Sequence, residues 1–190
     1  MNFREQVQKE ASETLLKFDC GTANVAMRLG KTVLGLKIAS NFNKVLVSYP
    51  IDGIKKGWVS DAEEFGFDIS NITFTTHLSL TKHDLSQFDC IILDELHDIS
   101  INNWDYISLS NYKRLYGLTA TPPNRGEKKS YIDMYCPIRY TKTIDETTGI
   151  TNKDYEIIVH LVKPSEKRDI PLKSGKFWSE KSQIDFYNAK

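Results

Sequence analysis

A set of short, nearly uninterrupted apolar runs, each closed by polar or small residues, restricts this chain's fold more than any other feature. Lys44-Val45-Leu46-Val47-Ser48-Tyr49 stops at Pro50, and Asp89-Cys90-Ile91-Ile92-Leu93 stops at Asp94-Glu95. Arg114-Leu115-Tyr116-Gly117-Leu118-Thr119 stops before Pro122-Pro123. A strand that is apolar throughout needs cover on both faces, whereas an alternating strand leaves one face wet. Residues 22–27 and 72–76 read as further strands. Between the strands lie segments with helical spacing. Residues 7–18 place apolar side chains at 7, 11, 15, 16 and 18, and residues 32–42 carry Val33, Leu34, Leu36, Ile38 and Ala39. Residues 54–65 are of helix length and end at Gly66. The alternation predicts an α/β fold, a mostly parallel sheet with helices on both faces. Such sheets present ligands at the carboxyl ends of their strands.

Composition removes several alternatives. With 190 residues the chain accommodates one compact domain, or one domain with a short appendage. Its 40% hydrophobic and 26% charged residues exclude a disordered or fibrous protein. The charges balance, 25 Lys+Arg against 25 Asp+Glu, which argues against a general polyanion coat while leaving room for a local basic groove. No apolar run is long enough to span a membrane, and the opening Met1-Asn2-Phe3-Arg4-Glu5-Gln6 is too polar for a secretory signal. Cys20, Cys90 and Cys136 are odd in number and widely spaced, so reduced thiols and a cytoplasmic setting are expected. Residues 141–154 are polar and rich in Thr and Asp, like a linker, and residues 155–162 read as one more strand. The expected organisation is a lobe over residues 1–145 and an extension over 146–190.

Three segments carry chemistry. Met27-Arg28-Leu29-Gly30-Lys31-Thr32 lies between a strand and a helix. Phosphates need inward-facing backbone N–H groups, a cation and a hydroxyl for Mg²⁺. Gly30 lets the backbone approach, Lys31 supplies the ammonium and Thr32 the hydroxyl. Arg28 is either a solvated loop residue or a further cation beside the phosphates. The fuller phosphate-loop pattern has an earlier glycine where this chain has Val25. In the second segment, Ile91-Ile92-Leu93-Asp94-Glu95-Leu96-His97, a buried strand ends in two carboxylates. That is costly unless a cation or a reaction requires them. Asp94 suits Mg²⁺ bound through water, and Glu95 suits a base that orients and deprotonates attacking water. The third, Gly117-Leu118-Thr119-Ala120-Thr121-Pro122, sets two hydroxyls at another strand end, within reach of His97. Each segment alone has a bland explanation, such as a surface turn or a pair of exposed acids. Their order along the chain, each at the end of an expected strand, makes a joint accident improbable.

Together these residues resemble the first RecA-like lobe of superfamily 2 helicases and translocases. Residues 27–32 look like motif I in the form used by Swi/Snf-type remodelling ATPases and their phage relatives, where the first Walker glycine is also often missing. Asp94-Glu95-Leu96-His97 matches motif II, the DEAH-type box, and Thr119-Ala120-Thr121-Pro122 matches motif III. Gln8-Lys9-Glu10-Ala11 resembles the upstream glutamine segment that reads adenine, with Gln6 a competing choice. Pro50 with Trp58 resembles motif Ia, although a packed aromatic is an equally good account of Trp58. Thr75-Thr76-His77 resembles motif Ib. The resemblance covers about residues 4–145.

The resemblance implies that ATP and Mg²⁺ bind at residues 28–32, with Lys31 on the phosphates and Thr32 and Asp94 on the metal. Glu95 would then activate water for in-line attack on the γ-phosphate. His97, Thr119 and Thr121 would couple nucleotide state to a nucleic-acid face touched by Lys55, Lys56, Thr75 and Thr76, with DNA the expected polymer. Completion of the site requires a second RecA-like lobe, in cis or in trans, because that lobe supplies the family's arginines. Weak hydrolysis by the isolated chain follows. A stand-alone ATP-binding regulatory or scaffold module is the competing expectation. A motor subunit of a restriction-type nuclease is a third, with any cutting left to a partner.

Overall fold

The computed structural model describes residues 2–143; the strand expected at 155–162 and the extension over 146–190 lie outside the described residues. Helix α1 spans Phe3–Leu15. It starts at Phe3 because Asn2 and Glu5 close a reciprocal cap. The Glu5 backbone N–H donates to Asn2 Oδ1 at 2.9 Å, and the Asn2 N–H donates to Glu5 Oε2 at 3.0 Å. Strand β1 (Cys20–Val25) leads through the phosphate-loop segment into α2 (Lys31–Ala39). Then come β2 (Val45–Tyr49), α3 (Gly53–Phe65) and β3 (Ile72–Thr76). Helix α3 ends at Gly66, which takes the left-handed conformation of a helix stop, φ 72°. Strand β4 (Cys90–Asp94), α4 (Ile101–Ser108), β5 (Leu115–Thr119), α5 (Glu127–Tyr135) and β6 (Ile138–Lys142) complete the described chain.

The strands form one six-stranded sheet in the order β3-β2-β4-β5-β1-β6, and every pairing is parallel. The three strands that end in chemistry-bearing segments, β4, β5 and β1, are therefore neighbours pointing the same way. Asp94 pairs in register with Leu118, and Asn24 pairs with Thr119. Side chains alternate along β2, β4 and β5 between two cores. Val45, Val47, Cys90, Ile92, Tyr116 and Leu118 pack with residues of α1, α2 and α3. Leu46, Ile91, Leu93 and Leu115 pack with Trp104 and Ile107 of α4 and Ile132 of α5. This is the doubly covered sheet that the apolar runs imply.

Two expectations change. The linker reading began at residue 141, yet Thr141 and Lys142 belong to β6 and pair with Asn24 and Val25 of β1. The strand is a largely exposed edge, so it has none of the apolar continuity that marks β2 or β4. Helices α4 and α5 also escape the pattern. Helix α5 buries only Ile132 among its residues, and α4 is short, with Ser100 as its cap.

Gly35 lies mid-helix in α2, where glycine costs about 1 kcal/mol relative to alanine. Its reason is Trp58: a Cβ built on Gly35 would sit 2.2 Å from Trp58 Cη2 and 3.1 Å from Leu118 Cδ1. Both neighbours are fully buried and cannot withdraw. Gly35→Val is expected to lower stability by about 2–3 kcal/mol through overpacking, despite the better helix propensity, measured by urea unfolding.

Candidate active site

The phosphate-loop segment turns tightly between β1 and α2. Arg28 and Gly30 both take left-handed backbone conformations, φ 68° and φ 78°. Arg28 is exposed, and Leu29 between them is fully buried, pinning the loop to the core. The Gln8 amide reinforces that anchor by donating from Nε2 to the Leu29 carbonyl at 3.1 Å. The positive φ at Gly30 favours glycine, and a Cβ there would meet Gln8 Nε2 at 2.3 Å and displace that amide from its bond to Leu29. Of the two candidate glutamines, Gln8 is buried against the loop, whereas Gln6 is exposed and bonds to Glu10. Lys31 and Thr32 open α2. No side chain caps this helix, so its first N–H groups face the loop with the positive end of the helix behind them.

The acidic segment meets this loop from β4. Lys31 Nζ reaches Glu95 Oε1 at 2.7 Å, joining residues from different strand ends. Glu95 itself takes a left-handed conformation, φ 48°, which is strained for a residue with a side chain. Its N–H donates to Asp94 Oδ1 at 3.0 Å. Asp94 is 5% exposed. Burial raises its carboxyl above the usual range; the indole N–H of Trp58, 3.0 Å from Oδ2, opposes that rise, and the Glu95 charge adds to it. Trp58 is fully buried in the core, as the packed-aromatic reading has it, but its N–H also contacts the acid. No local pattern in the sequence signals that bond.

His97 Nδ1 lies 3.0 Å from Thr119 Oγ1, so the ends of β4 and β5 are bridged. Thr121 is exposed, and its backbone N–H donates to Thr119 Oγ1 at 3.2 Å; Thr119 is thus the hydroxyl facing His97. Lys128 of α5, absent from the expected set, donates to the His97 carbonyl at 2.8 Å.

The residues expected on a nucleic-acid face divide. Lys55 and Lys56 are exposed on α3, with Lys55 Nζ 5.7 Å from the centre of the Phe74 ring. Thr76 is half-buried. Thr75 departs from the expectation: strand alternation turns it inward to 6% exposure, and its hydroxyl pairs with His83 Nε2 at 3.0 Å. Next to it His77 is buried, with Nδ1 2.7 Å from Ser48 Oγ and its carbonyl accepting from Asn103 Nδ2 at 2.7 Å. His77 Nε2 has no hydrogen-bond partner.

Burial pushes the His77 imidazole down to about 4, with the Asp94 backbone and the Asp98 charge pulling less strongly upward. The unfolded chain binds a proton near pH 6.5 that the folded chain refuses until about pH 4. This contribution to stability is therefore complete above about pH 6.5 and declines as pH falls toward 4. A loss on the order of 2–3 kcal/mol is expected between about pH 7.5 and 4.5. Urea unfolding at both pH values checks it, and a His77→Gln variant should lack this part of the dependence.

These residues fit a nucleotide with Mg²⁺. Among the described residues no group of three or more His, Cys, Asp or Glu could hold a metal by itself. Mg²⁺ is ordinarily held by one or two carboxylates together with substrate phosphates and water, and Asp94 with the Thr32 hydroxyl is a donor set of that kind. No helix among the described residues is long and apolar enough to cross a membrane.

A family model described as type III restriction enzyme, res subunit, matches residues 34–124. No curated protein sequence matches the chain. Among solved structures, the UvsW helicase from bacteriophage T4 is similar with a TM-score of 0.62 at 17% identity, over 72% of this chain and 59% of that one. The Sulfolobus solfataricus SWI2/SNF2 ATPase core in complex with dsDNA gives 0.54 at 16% identity, over 67% and 34%. The Pyrococcus furiosus Hef helicase domain gives 0.54 at 15%, over 73% and 37%. At such identities the likeness is one of fold. The chain spans about three fifths of the UvsW structure's length and about a third of the other two.

Proposed function

We infer that this chain, a RecA-like lobe of the superfamily 2 helicase type, is the ATP-gripping half of a nucleic-acid motor. The observation that carries the reading is the meeting of Lys31 and Glu95 at 2.7 Å, with Asp94 buried behind them. A cation from the start of one helix and two acids from a neighbouring strand end converge where a parallel sheet presents ligands.

In this reading the phosphates of ATP lie against residues 28–32, and Gln8, tied to the same loop, lies toward the adenine. Lys31 turns from Glu95 to the phosphates, which frees Glu95 to hold and deprotonate water in line with the γ-phosphate. Thr32 and Asp94 would hold Mg²⁺, which when bound would supply positive charge beside the phosphates. His97 and Thr119 relay the state of the site across β4 and β5, with Thr121 at the end of that path. Lys55, Lys56 and Thr76 face the nucleic-acid backbone, DNA first among polymers, through contacts that carry no sequence information. A second RecA-like lobe, in cis or in trans, would supply the arginines that complete the transition-state charge.

Lys31→Ala is expected to abolish binding of a fluorescent ATP analogue to the purified chain. Glu95→Gln should retain binding and cost the assembled motor about 10²–10⁴-fold in turnover. Without second-lobe arginines the chain alone lacks a factor of about 10³–10⁵ in rate. Brisk nucleic-acid-stimulated hydrolysis by the purified chain would overturn the two-lobe reading.

A further inference from the structure

Asp94 is held from two sides, and the second holder is unexpected. Oδ1 accepts from the Glu95 N–H and Oδ2 from the Trp58 indole N–H, each at 3.0 Å. Asp94 is 5% exposed and Trp58 fully buried, so the indole bond is sheltered from water. The indole is itself immobilised. Its Cη2 edge occupies the space above Gly35, and Phe74 meets it edge-on with ring centres 6.1 Å apart. Gly35 belongs to α2, the helix that opens with Lys31 and Thr32. One rigid ring thus spans the helix of the phosphate loop and the acid at the end of β4.

Packing alone does not explain this bond. Trp104 is also fully buried, yet its Nε1 has no hydrogen-bond partner, so a buried indole in this fold is not compelled to find one. A phenylalanine would fill much of the same core volume. What tryptophan adds is a single donor aimed at one carboxylate oxygen.

We propose that Trp58 is a positioning residue for the metal-facing carboxylate of Asp94, fixing its plane relative to Lys31 and Thr32. The proposal rests on the nucleotide reading above. An outer donor that orients a metal-holding carboxylate typically contributes 10–100-fold to metal affinity. The Trp58 N–H engages Oδ2 from the core side, which leaves the remaining lone pairs of Asp94 for the metal and its water.

The test uses the purified 190-residue chain with a non-hydrolysable fluorescent ATP analogue, titrated with Mg²⁺. Trp58→Phe is expected to leave binding in excess EDTA unchanged and to raise the Mg²⁺ requirement for tight binding about tenfold or more. An unchanged Mg²⁺ requirement overturns the proposal. A second measurement stands even if Trp58→Phe folds poorly: the indole ¹H–¹⁵N resonance of Trp58 in the otherwise native chain. It should shift on addition of Mg²⁺ with the analogue, and shift upfield in Asp94→Ala, while the Trp104 resonance stays in place. A Trp58 resonance indifferent to both overturns the positioning role while analogue binding persists. If no analogue binds with or without Mg²⁺, the nucleotide reading fails and this proposal falls with it.

Discussion

Uniform strand direction is the constraint on which the rest of this structure depends. Because all six strands run parallel, each carboxyl end lies on the same edge, and each connection must cross a face of the sheet. The order β4-β5-β1 then brings together segments from distant parts of the chain. Reversing or displacing one strand would carry Asp94, Thr119 or Lys31 away from the others. The apolar runs that need cover on both faces are what enforce this arrangement, since they leave no stable place for an open antiparallel alternative.

Within that frame, backbone strain concentrates at the site. Among the described residues only Arg28 and Glu95 carry side chains at positive φ, and both lie in the segments that converge. Such conformations persist only where surrounding contacts over-determine them. Here the contacts are identifiable: buried Leu29 with the Gln8 amide below one turn, and the Asp94 carboxylate and Lys31 ammonium at the other. The same contacts set the electrostatics, with one acid partly exposed and paired to a cation while its neighbour is buried beneath an indole. Two adjacent carboxylates are thereby given different environments, a basis for assigning them different roles.

Much of this was legible before any coordinates. β2, β3, β4 and β5 carry their apolar or branched residues in uninterrupted local runs, α2 keeps helical spacing and α3 is closed by Gly66, so their positions could be read within a few residues. The edge strand β6 could not, because its residues are mostly exposed and its partner β1 is far away in the chain. Helix α5 was hidden for a related reason: a helix that buries one side chain leaves almost no periodic trace. Thr75 and Thr76 look equivalent in the sequence, and only the side of the sheet to which each points separates them.

By itself, the sequence determined the alternation of elements, the glycine-lysine-threonine turn, and the placing of acids and hydroxyls at strand ends. All of these depend on residues close together in the chain. Tertiary structure alone decided that Gln8 rather than Gln6 supports the loop, that Lys31 meets Glu95, and that Gly35 is small to admit Trp58. It also decided that this tryptophan holds Asp94. Each of those contacts joins side chains from different elements, and its geometry is set by strand order, register and direction, which no local pattern encodes.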